Sequence, residues 1–279
     1  MKDPASGHNG RFGQARLLEQ MAGGHWSHDI VESPTVCDAR DPLVRDLAKK
    51  IEKGLGTKLR DLLQARVDES STAHRRGRRL INSKVPRVRA GSLDVFRRNE
   101  ETDELSTAVH ILCDMSGSMF GVTAEGMNAI SAAAACYAVG TILDKFQIPF
   151  AWTNFGSSAQ SVKSFKARWR TRRNASCIQG LGGTVLDAPL LRLMPELCAR
   201  DEQRKLCLVM TDGDPSDVET CVSVLDTLQM LEAEIAVLFI GTDGHEFQTA
   251  LAECGIMVAR ARTQADLAQG VFSAIENAF

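Results

Sequence analysis

Short apolar runs alternate with longer amphipathic stretches through the second part of the chain. The runs at 108–113 and 205–210 are almost wholly apolar, which is typical of strands buried on both faces. The stretches at 124–146 and 218–231 repeat apolar residues at the three- and four-residue spacing of a helix. This alternation predicts a doubly wound α/β architecture, in which helices cover both faces of a mostly parallel sheet.

The same pattern predicts the remaining elements. Further strands are expected at 149–155, 161–165, 234–240 and 256–259, and further helices at 185–197, 246–253 and 264–278. Asp41-Pro42 is typical of a helix start, and apolar residues continue at helical spacing to about Arg66. Residues 1–40 are rich in Gly, His, Ser and Pro, and there we expect a loosely ordered segment with one short helix at 14–22.

Three regions therefore follow one another: a loosely ordered segment at 1–40, a helical and arginine-rich lead-in at 41–104, and the α/β domain at 105–279. The chain has 279 residues, of which 44% are hydrophobic and 24% charged, as expected for a globular domain that buries a core. A net charge of −2 excludes a uniformly basic nucleic-acid coat protein. The charge is unevenly distributed along the chain: residues 1–104 contain 20 Lys and Arg but only 16 Asp and Glu.

The eight cysteines contain no Cys-x-x-Cys pair, and several lie in apolar runs. We expect reduced, mostly buried thiols, as in cytoplasmic proteins. The first residues lack an apolar stretch that would indicate a signal peptide. Residues 126–143 are free of charge but consist mainly of Ala, Ser and Gly, which favours a buried helix over a membrane span. The predicted localisation is cytoplasmic.

Oxygen-bearing side chains follow two of the predicted strands. One strand ends in Cys113-Asp114-Met115-Ser116-Gly117-Ser118, and the other in Thr211-Asp212-Gly213-Asp214. Ligands of such sheets bind beyond the carboxyl ends of the strands. A glycine-rich segment, 180–183, brings Thr184 as a further hydroxyl. Two carboxylates and three hydroxyls are hard oxygen donors, which favour Mg²⁺, or Mn²⁺ in its place, with a coordination position left open.

This arrangement resembles the metal-ion-dependent adhesion site of von Willebrand factor type A domains. That family carries Asp-x-Ser-x-Ser, then a Thr and then an Asp at strand ends or neighbouring loops. The five matching residues here are Asp114, Ser116, Ser118, Thr184 and Asp212. The resemblance implies a Rossmann-like fold for residues 105–279 and a metal-binding role for these side chains.

The region before the first strand is similar to the lead-in of the CobT-type subunit of aerobic cobaltochelatase. The segments that carry this likeness are Arg75-Arg76-Gly77-Arg78-Arg79-Leu80, Leu93-Asp94-Val95-Phe96-Arg97-Arg98 and Leu105-Ser106-Thr107-Ala108-Val109. The long acidic middle region of the larger family members is missing. Residues 1–70 match no family that we recognise.

The CobT-like resemblance implies a non-catalytic subunit that works beside a MoxR-class, CobS-like AAA+ ATPase. Its metal site would grip an acidic residue of the ATPase or of a client protein. The chain has no Gly-x-x-x-x-Gly-Lys-Ser/Thr loop of its own, so the ATPase would be another chain. The candidate partner-contacting residues are Arg75, Arg76, Arg78, Arg79 and Asp214.

Two alternatives stay open. The basic stretches 75–89 and 163–173, the second of which contains Trp169, could bind nucleic acid through phosphate pairing and base stacking. The slightly acidic chain as a whole favours protein docking instead. Asp114 could also be the nucleophile of an Mg²⁺-dependent phosphoryl-transfer enzyme with the metal at Asp212 and Asp214, but the positions beside it are serines. We expect no membrane partner.

Overall fold

The computed structural model of the protein describes residues 30–34, 40–64, 73–74, 79–80, 96–97, 107–123 and 126–278. The helix expected at 14–22 lies outside the described residues, as do Arg75, Arg76 and Arg78 and most of the stretch 75–89. Arg79 is described only as part of a two-residue strand.

Apart from the short helix Trp169–Arg172, which the sequence pattern does not predict, the described helices agree with that pattern to within a few residues. They are α1 (Asp41–Gln64), α2 (Asn128–Lys145), α3 (Trp169–Arg172), α4 (Asp187–Cys198), α5 (Val218–Met230), α6 (His245–Glu253) and α7 (Leu267–Ala278). Short 3₁₀ turns at Ser118–Phe120 and Gln264–Asp266 complete the helical elements of the described ranges.

Strands of the described ranges form three sheets. They are β1 (Val31–Glu32), β2 (Ala73–His74), β3 (Arg79–Leu80), β4 (Phe96–Arg97), β5 (Thr107–Asp114), β6 (Val122–Thr123), β7 (Gly126–Met127), β8 (Phe150–Phe155), β9 (Ala159–Lys163), β10 (Arg204–Thr211), β11 (Ala233–Ile240) and β12 (Val258–Ala261). Strands β2, β4 and β3 form a small antiparallel sheet, and β6 and β7 form a hairpin.

The main sheet has the strand order β1-β9-β8-β5-β10-β11-β12. The central strand β5 pairs in parallel with β8 on one side and β10 on the other. Strand β9 is antiparallel to β8, and β1 runs parallel to β9, so these two strands run against the rest. The prediction of a mostly parallel sheet in a doubly wound α/β fold is confirmed.

Alternate residues of the central strands enter two different hydrophobic clusters. Val109, Ile111 and Cys113 of β5 pack on one face, where α1, α2 and α7 lie. Ala108 and Leu112 pack on the other face, against α4, α5 and α6. Every residue of β5 is buried, which explains why its sequence is a continuous apolar run rather than an alternating one.

Helix α1 belongs to the first of these clusters. Its buried positions recur at helical spacing and pack against α2 and α7. Those positions are Val44, Leu47, Ala48, Ile51, Leu55 and Leu59. The hydrophobic core therefore includes residues on both sides of position 105.

Two stretches differ from the sequence-based expectation. Helix α2 begins at Asn128 rather than at 124, because the β6–β7 hairpin takes up the residues before it. The stretch 163–173 is not a free basic surface: Trp169 is buried and contacts Tyr137 and Phe150. Trp169 is therefore not available to stack on a nucleic-acid base.

Several cations of that stretch also serve the fold. The Lys163 ammonium is buried and donates to the Phe150 carbonyl. The Arg172 guanidinium donates to the carbonyls of Val162 and Ser33, which holds the segment around β1 in place. The exposed cations that remain are Lys166, Arg168, Arg170 and Arg173.

None of the seven cysteines in the described ranges forms a disulfide, and five of the seven are buried. Within those ranges, none of the helices combines the length and the apolar character that crossing a bilayer requires.

Candidate metal centre

Asp114 and Asp212 come together because their strands are neighbours. Strands β5 and β10 run parallel, with Cys113 opposite Met210. The next residues of the two strands, Asp114 and Thr211, therefore lie side by side at the carboxyl edge of the sheet, and Asp212 follows directly. The predicted convergence of these two strand ends is what the structure shows.

Both oxygens of Asp114 accept hydrogen bonds from the chain. Its Oδ1 accepts from the Ser116 amide at 2.8 Å, which closes the turn after β5. Its Oδ2 accepts from the Thr211 hydroxyl at 2.6 Å. Asp114 is fully buried, so these two contacts fix the orientation of a carboxylate that has no access to bulk water.

A row of hydroxyl groups links this turn to Asp212. The Ser116 and Ser118 hydroxyl oxygens lie 3.0 Å apart, and the Ser118 hydroxyl donates to Asp212 Oδ1 at 2.9 Å. The Asn128 side-chain amide donates to Asp212 Oδ2 at 3.2 Å. Asp114, Ser116, Ser118 and Asp212 thus belong to one cluster, in which Ser118 is exposed to solvent and Asp114 is not.

Thr184 is positioned by its main chain. The loop before it is tied to the turn after β5, where the Gly117 amide donates to the Gly182 carbonyl at 2.6 Å. On the other side, the Ser216 amide donates to the Thr184 carbonyl at 2.8 Å. Thr184 therefore lies between the turn after β5 and the loop after β10. Among the described residues, no hydrogen bond joins its hydroxyl to the other four side chains.

Two glycines allow this loop to approach. A Cβ at Gly156 would lie 2.8 Å from the Leu181 main-chain carbonyl, so only glycine fits under the loop. Gly182 has a φ of +86°, which a side chain would strain. Ser157 completes the attachment, since its amide donates to the Leu181 carbonyl and its hydroxyl accepts from the Gly183 amide.

Burial raises the pKa of both carboxyl groups. The pKa of Asp114 rises to about 6 because the group is buried, although the Thr211 and Ser116 hydrogen bonds act in the opposite direction. Burial also raises the pKa of Asp212, against hydrogen bonds from Asn128 and Ser118. Neither carboxylate forms an ion pair with a cation of the described residues.

The donor set fits a hard divalent cation. Two buried carboxylates stand beside neutral hydroxyl groups, and no cation of the described residues forms an ion pair with either of them, which is costly unless a cation binds there. Within the described ranges, no group of three or more His, Cys, Asp or Glu side chains is placed to hold a metal. A metal at this edge would therefore depend on the serine and threonine oxygens as much as on the acids.

The other acids near the site have local roles. Asp214 Oδ1 accepts from the Phe247 amide at 2.7 Å, which satisfies the first turn of α6. Asp217 caps α5 by accepting from the Thr220 amide. Asp187 is buried as the first residue of α4.

Sequence reasoning missed three residues that organise the site. Thr211 holds Asp114, Asn128 holds Asp212, and Ser157 holds the loop before Thr184. Thr211 could have been found, because it immediately precedes an acid at a strand end. Asn128 and Ser157 carry no comparable signal, since their relation to the site depends on how the chain folds.

Comparison with known proteins finds similarity to this chain in structure but not in sequence. No protein-family model and no curated protein sequence matches it. Among solved structures it is similar to proximal thread matrix protein 1 from the mussel byssus, with 14% identity over 62% of this chain and a TM-score of 0.51. The chain spans about half of that protein, 48% of its length. Another structure of the same mussel protein, with the same scores, has a zinc-occupied MIDAS motif, the metal-ion-dependent adhesion site.

Similar structures also include a von Willebrand factor type A protein from Catenulispora acidiphila. It is 17% identical to this chain, with a TM-score of 0.46, and the match covers 62% of this chain and 42% of the other. Likeness at this level is too weak to carry an inference about activity. The comparison with the mussel protein shows a shared α/β fold, in agreement with the architecture expected from the sequence.

Proposed function

We propose that the chain is a metal-dependent protein-binding subunit whose metal is held at the carboxyl edge of the sheet. The residues that would hold it are Asp114, Ser116, Ser118, Thr184 and Asp212. The observation that carries the proposal is the 2.9 Å hydrogen bond from the Ser118 hydroxyl to Asp212 Oδ1, which joins the turn after β5 to the acid after β10. The mussel protein's zinc-occupied site on a similar fold supports it.

The chain's own residues prepare the two carboxylates for this role. Thr211 and Asn128 each donate to one oxygen and so fix the direction of Asp114 and Asp212. A divalent cation bound there would supply the positive charge that both acids lack and could accept one more oxygen ligand from outside. Oxygen donors favour Mg²⁺ or Mn²⁺.

The outside ligand is proposed to be a carboxylate of a partner protein. The exposed Ser118 and Gly117 put the rim of the cluster at the surface, whereas Asp114 lies beneath it. The partner would be a MoxR-class, CobS-like AAA+ ATPase or its client, as the resemblance of the sequence to CobT-type subunits implies. The chain supplies no nucleotide-binding P-loop of its own.

We propose binding rather than catalysis. Both oxygens of Asp114 accept hydrogen bonds in a buried turn, an arrangement suited to holding a ligand in place rather than to attacking a phosphorus atom. Nucleic-acid binding by the stretch 163–173 is disfavoured by the burial of Trp169.

The metal step is tested by equilibrium dialysis and calorimetry with Mg²⁺, Mn²⁺ and Zn²⁺ on the purified chain. Asp114→Ala and Asp212→Ala should abolish binding, and Ser118→Ala should weaken it about tenfold, since it removes one neutral donor. Asp201→Ala, an exposed acid, is the matched control and should bind like the unmodified chain. Equal binding by the Asp114→Ala variant would contradict the proposed site.

The partner step is tested separately with a purified MoxR-class ATPase from the same organism. Association measured by biolayer interferometry should require added Mg²⁺ or Mn²⁺ and should be lost in the Asp212→Ala variant. Metal binding without any metal-dependent association would leave the site in place and refute the proposed ATPase partner.

A further inference from the structure

A cavity near charged side chains lies at the other end of the sheet from the metal centre. It has a volume of about 450 Å³. Lys163 lines it at the end of β9, and Phe150 lines it at the start of β8. Because β9 is antiparallel to β8, this is the edge opposite the carboxyl ends of β5 and β10.

Aromatic side chains form part of the cavity wall. Phe150 and Trp169 are buried and meet edge to face with ring centroids 5.7 Å apart. Phe165, half-buried, contributes a third ring. Flat apolar walls with a few polar groups are typical of sites that bind small organic molecules, and the volume lies in the usual range of about 300–1,000 Å³.

Three cations line the same cavity, and Asp144 is the one acid among the described residues that line it. Lys163, Arg168 and Arg170 form no ion pair with a carboxylate of the described ranges. The Lys163 ammonium donates to the carbonyls of Phe150 and Ser164, and an ammonium has three donors. The ammonium also lies over the Phe150 ring, 4.1 Å from its centroid, and all of these partners are uncharged.

No carboxylate of the described residues lies within ion-pair distance of Lys163. Burial lowers its pKa to about 8; Asp144 acts in the opposite direction, and Arg200 lowers the pKa further. An anion in the cavity would relieve this cost. The guanidinium groups of Arg168 and Arg170 are exposed at the rim and are suited to contact the outer oxygens of such a group.

We propose that this cavity binds a small organic anion in which a carboxylate or phosphate is attached to a flat apolar body. The anionic group would contact Lys163, Arg168 and Arg170, and the apolar body would pack against Phe165, the half-buried ring of the cavity wall. The site is independent of the metal centre, so a ligand here and a partner there could be bound at the same time.

The test uses two probes that share one aromatic body, 1-naphthoate and 1-naphthyl phosphate, titrated into the full chain by calorimetry at low ionic strength. At least one should bind with one-to-one stoichiometry, and the tighter of the two identifies the anion. The Arg168→Gln/Arg170→Gln variant should bind it about tenfold more weakly, from the loss of charge-assisted hydrogen bonds. The matched control is Lys166→Gln/Arg173→Gln, which removes the same charge from exposed residues of the same segment that do not line the cavity and should bind like the unmodified chain.

Three results would overturn the proposal. The first is equal weakening by the two double variants, each shown by circular dichroism to be folded. The second is equally tight binding of the neutral 1-naphthylmethanol. The third is tighter binding of a decaglutamate peptide than of either naphthyl anion, which would identify the surface as a docking site for acidic protein segments. Unchanged probe binding by the Asp114→Ala variant is expected, and its loss would contradict the independence of the two sites.

Discussion

The Thr211 hydroxyl lies 2.6 Å from Asp114 Oδ2 and donates to it across two neighbouring parallel strands. This contact joins the ends of β5 and β10 at the base of the candidate metal centre. It links a residue that sequence motifs do not mark to the acid on which the site depends. A variant that lacks the Thr211 hydroxyl therefore keeps the Asp114 carboxylate but loses one of the hydrogen bonds that orient it.

We expect Thr211→Val to weaken divalent-metal binding without unfolding the chain. The substitution keeps the shape of the side chain but removes the donor to a buried carboxylate, a loss of about 1.5–3 kcal/mol, or at least tenfold in affinity. Calorimetric titration with Mn²⁺ measures the change. Thr227→Val, at an exposed hydroxyl of α5, is the control and should leave the affinity unchanged. If both variants bind alike, Thr211 does not orient Asp114 for metal binding.

Gly182→Ala should both destabilise the fold and weaken metal binding. The φ of +86° and the Ser157 hydroxyl 2.7 Å from the new Cβ imply a strain of about 1–3 kcal/mol, and relief of this strain would shift the loop that carries Thr184. Urea unfolding and Mn²⁺ titration measure the two effects. The control is Gly213→Ala, where a Cβ would meet no atom within 4 Å. A normal metal affinity in a destabilised Gly182→Ala variant would show that Thr184 does not contribute to the site.

His110 should make the fold less stable at acidic pH. Burial, together with the charge of Lys163, lowers its pKa from 6.5 to about 3, so between these values the unfolded chain binds a proton that the folded chain does not. The contribution of neutral His110 to the free energy of unfolding is therefore fully present above pH 6.5. It falls as the pH decreases, by about 1.4 kcal/mol per pH unit at most.

Urea unfolding at pH 7.5 and pH 5.0 measures this effect. Between pH 7.5 and pH 5.0, the free energy of unfolding of the unmodified chain should fall by about 2 kcal/mol more than that of His110→Gln, whose side chain cannot titrate. The exposed His245→Gln variant should behave like the unmodified chain. An equal loss in the His110→Gln variant would assign the acid sensitivity to other groups.

Leu59→Ala should destabilise the whole α/β domain, although it lies outside residues 105–279. Leu59 is buried in α1 within the cluster that includes α2 and α7, and truncation of such a leucine costs about 2–5 kcal/mol. Leu43→Ala in the same helix is the control, because that side chain is 58% exposed and should change the stability by about 0.5 kcal/mol or less. Urea unfolding monitored by tryptophan fluorescence should show a single transition, and its midpoint should be lower for Leu59→Ala than for the unmodified chain. An unchanged midpoint would mean that α1 is dispensable for the domain.

The elements that the sequence predicted well are those buried on one or both faces. Strand β10 was expected at 205–210 and spans Arg204–Thr211, and α5 was expected at 218–231 and spans Val218–Met230. Burial on both faces makes a strand apolar throughout, and burial on one face gives a helix its three- and four-residue spacing. The start of α2 was predicted too early, because burial does not determine where that helix begins. The β6–β7 hairpin precedes α2 in a stretch that composition alone assigns to the helix.

The candidate site shows the same division. Asp114 and Asp212 could be identified because each follows an apolar strand directly, and parallel strands bring their carboxyl ends to one edge. The roles of Asn128 and Ser157 could not, since they depend on where a helix start and a loop lie in space. In the sequence, Lys163 and Trp169 belong to a basic stretch, and their burial follows from the antiparallel pairing of β9 with β8 and from packing on α2.

The amino-acid sequence alone determined the order of the long buried strands and amphipathic helices, the doubly wound architecture and the oxygen-rich residues at two strand ends, because periodicity and local residue chemistry are written along the chain. Only the tertiary structure decided which groups orient those oxygens, that α1 shares the core, and that a cation-lined cavity lies at the opposite edge of the sheet. These features depend on contacts between residues far apart in the chain, and no local pattern encodes such contacts.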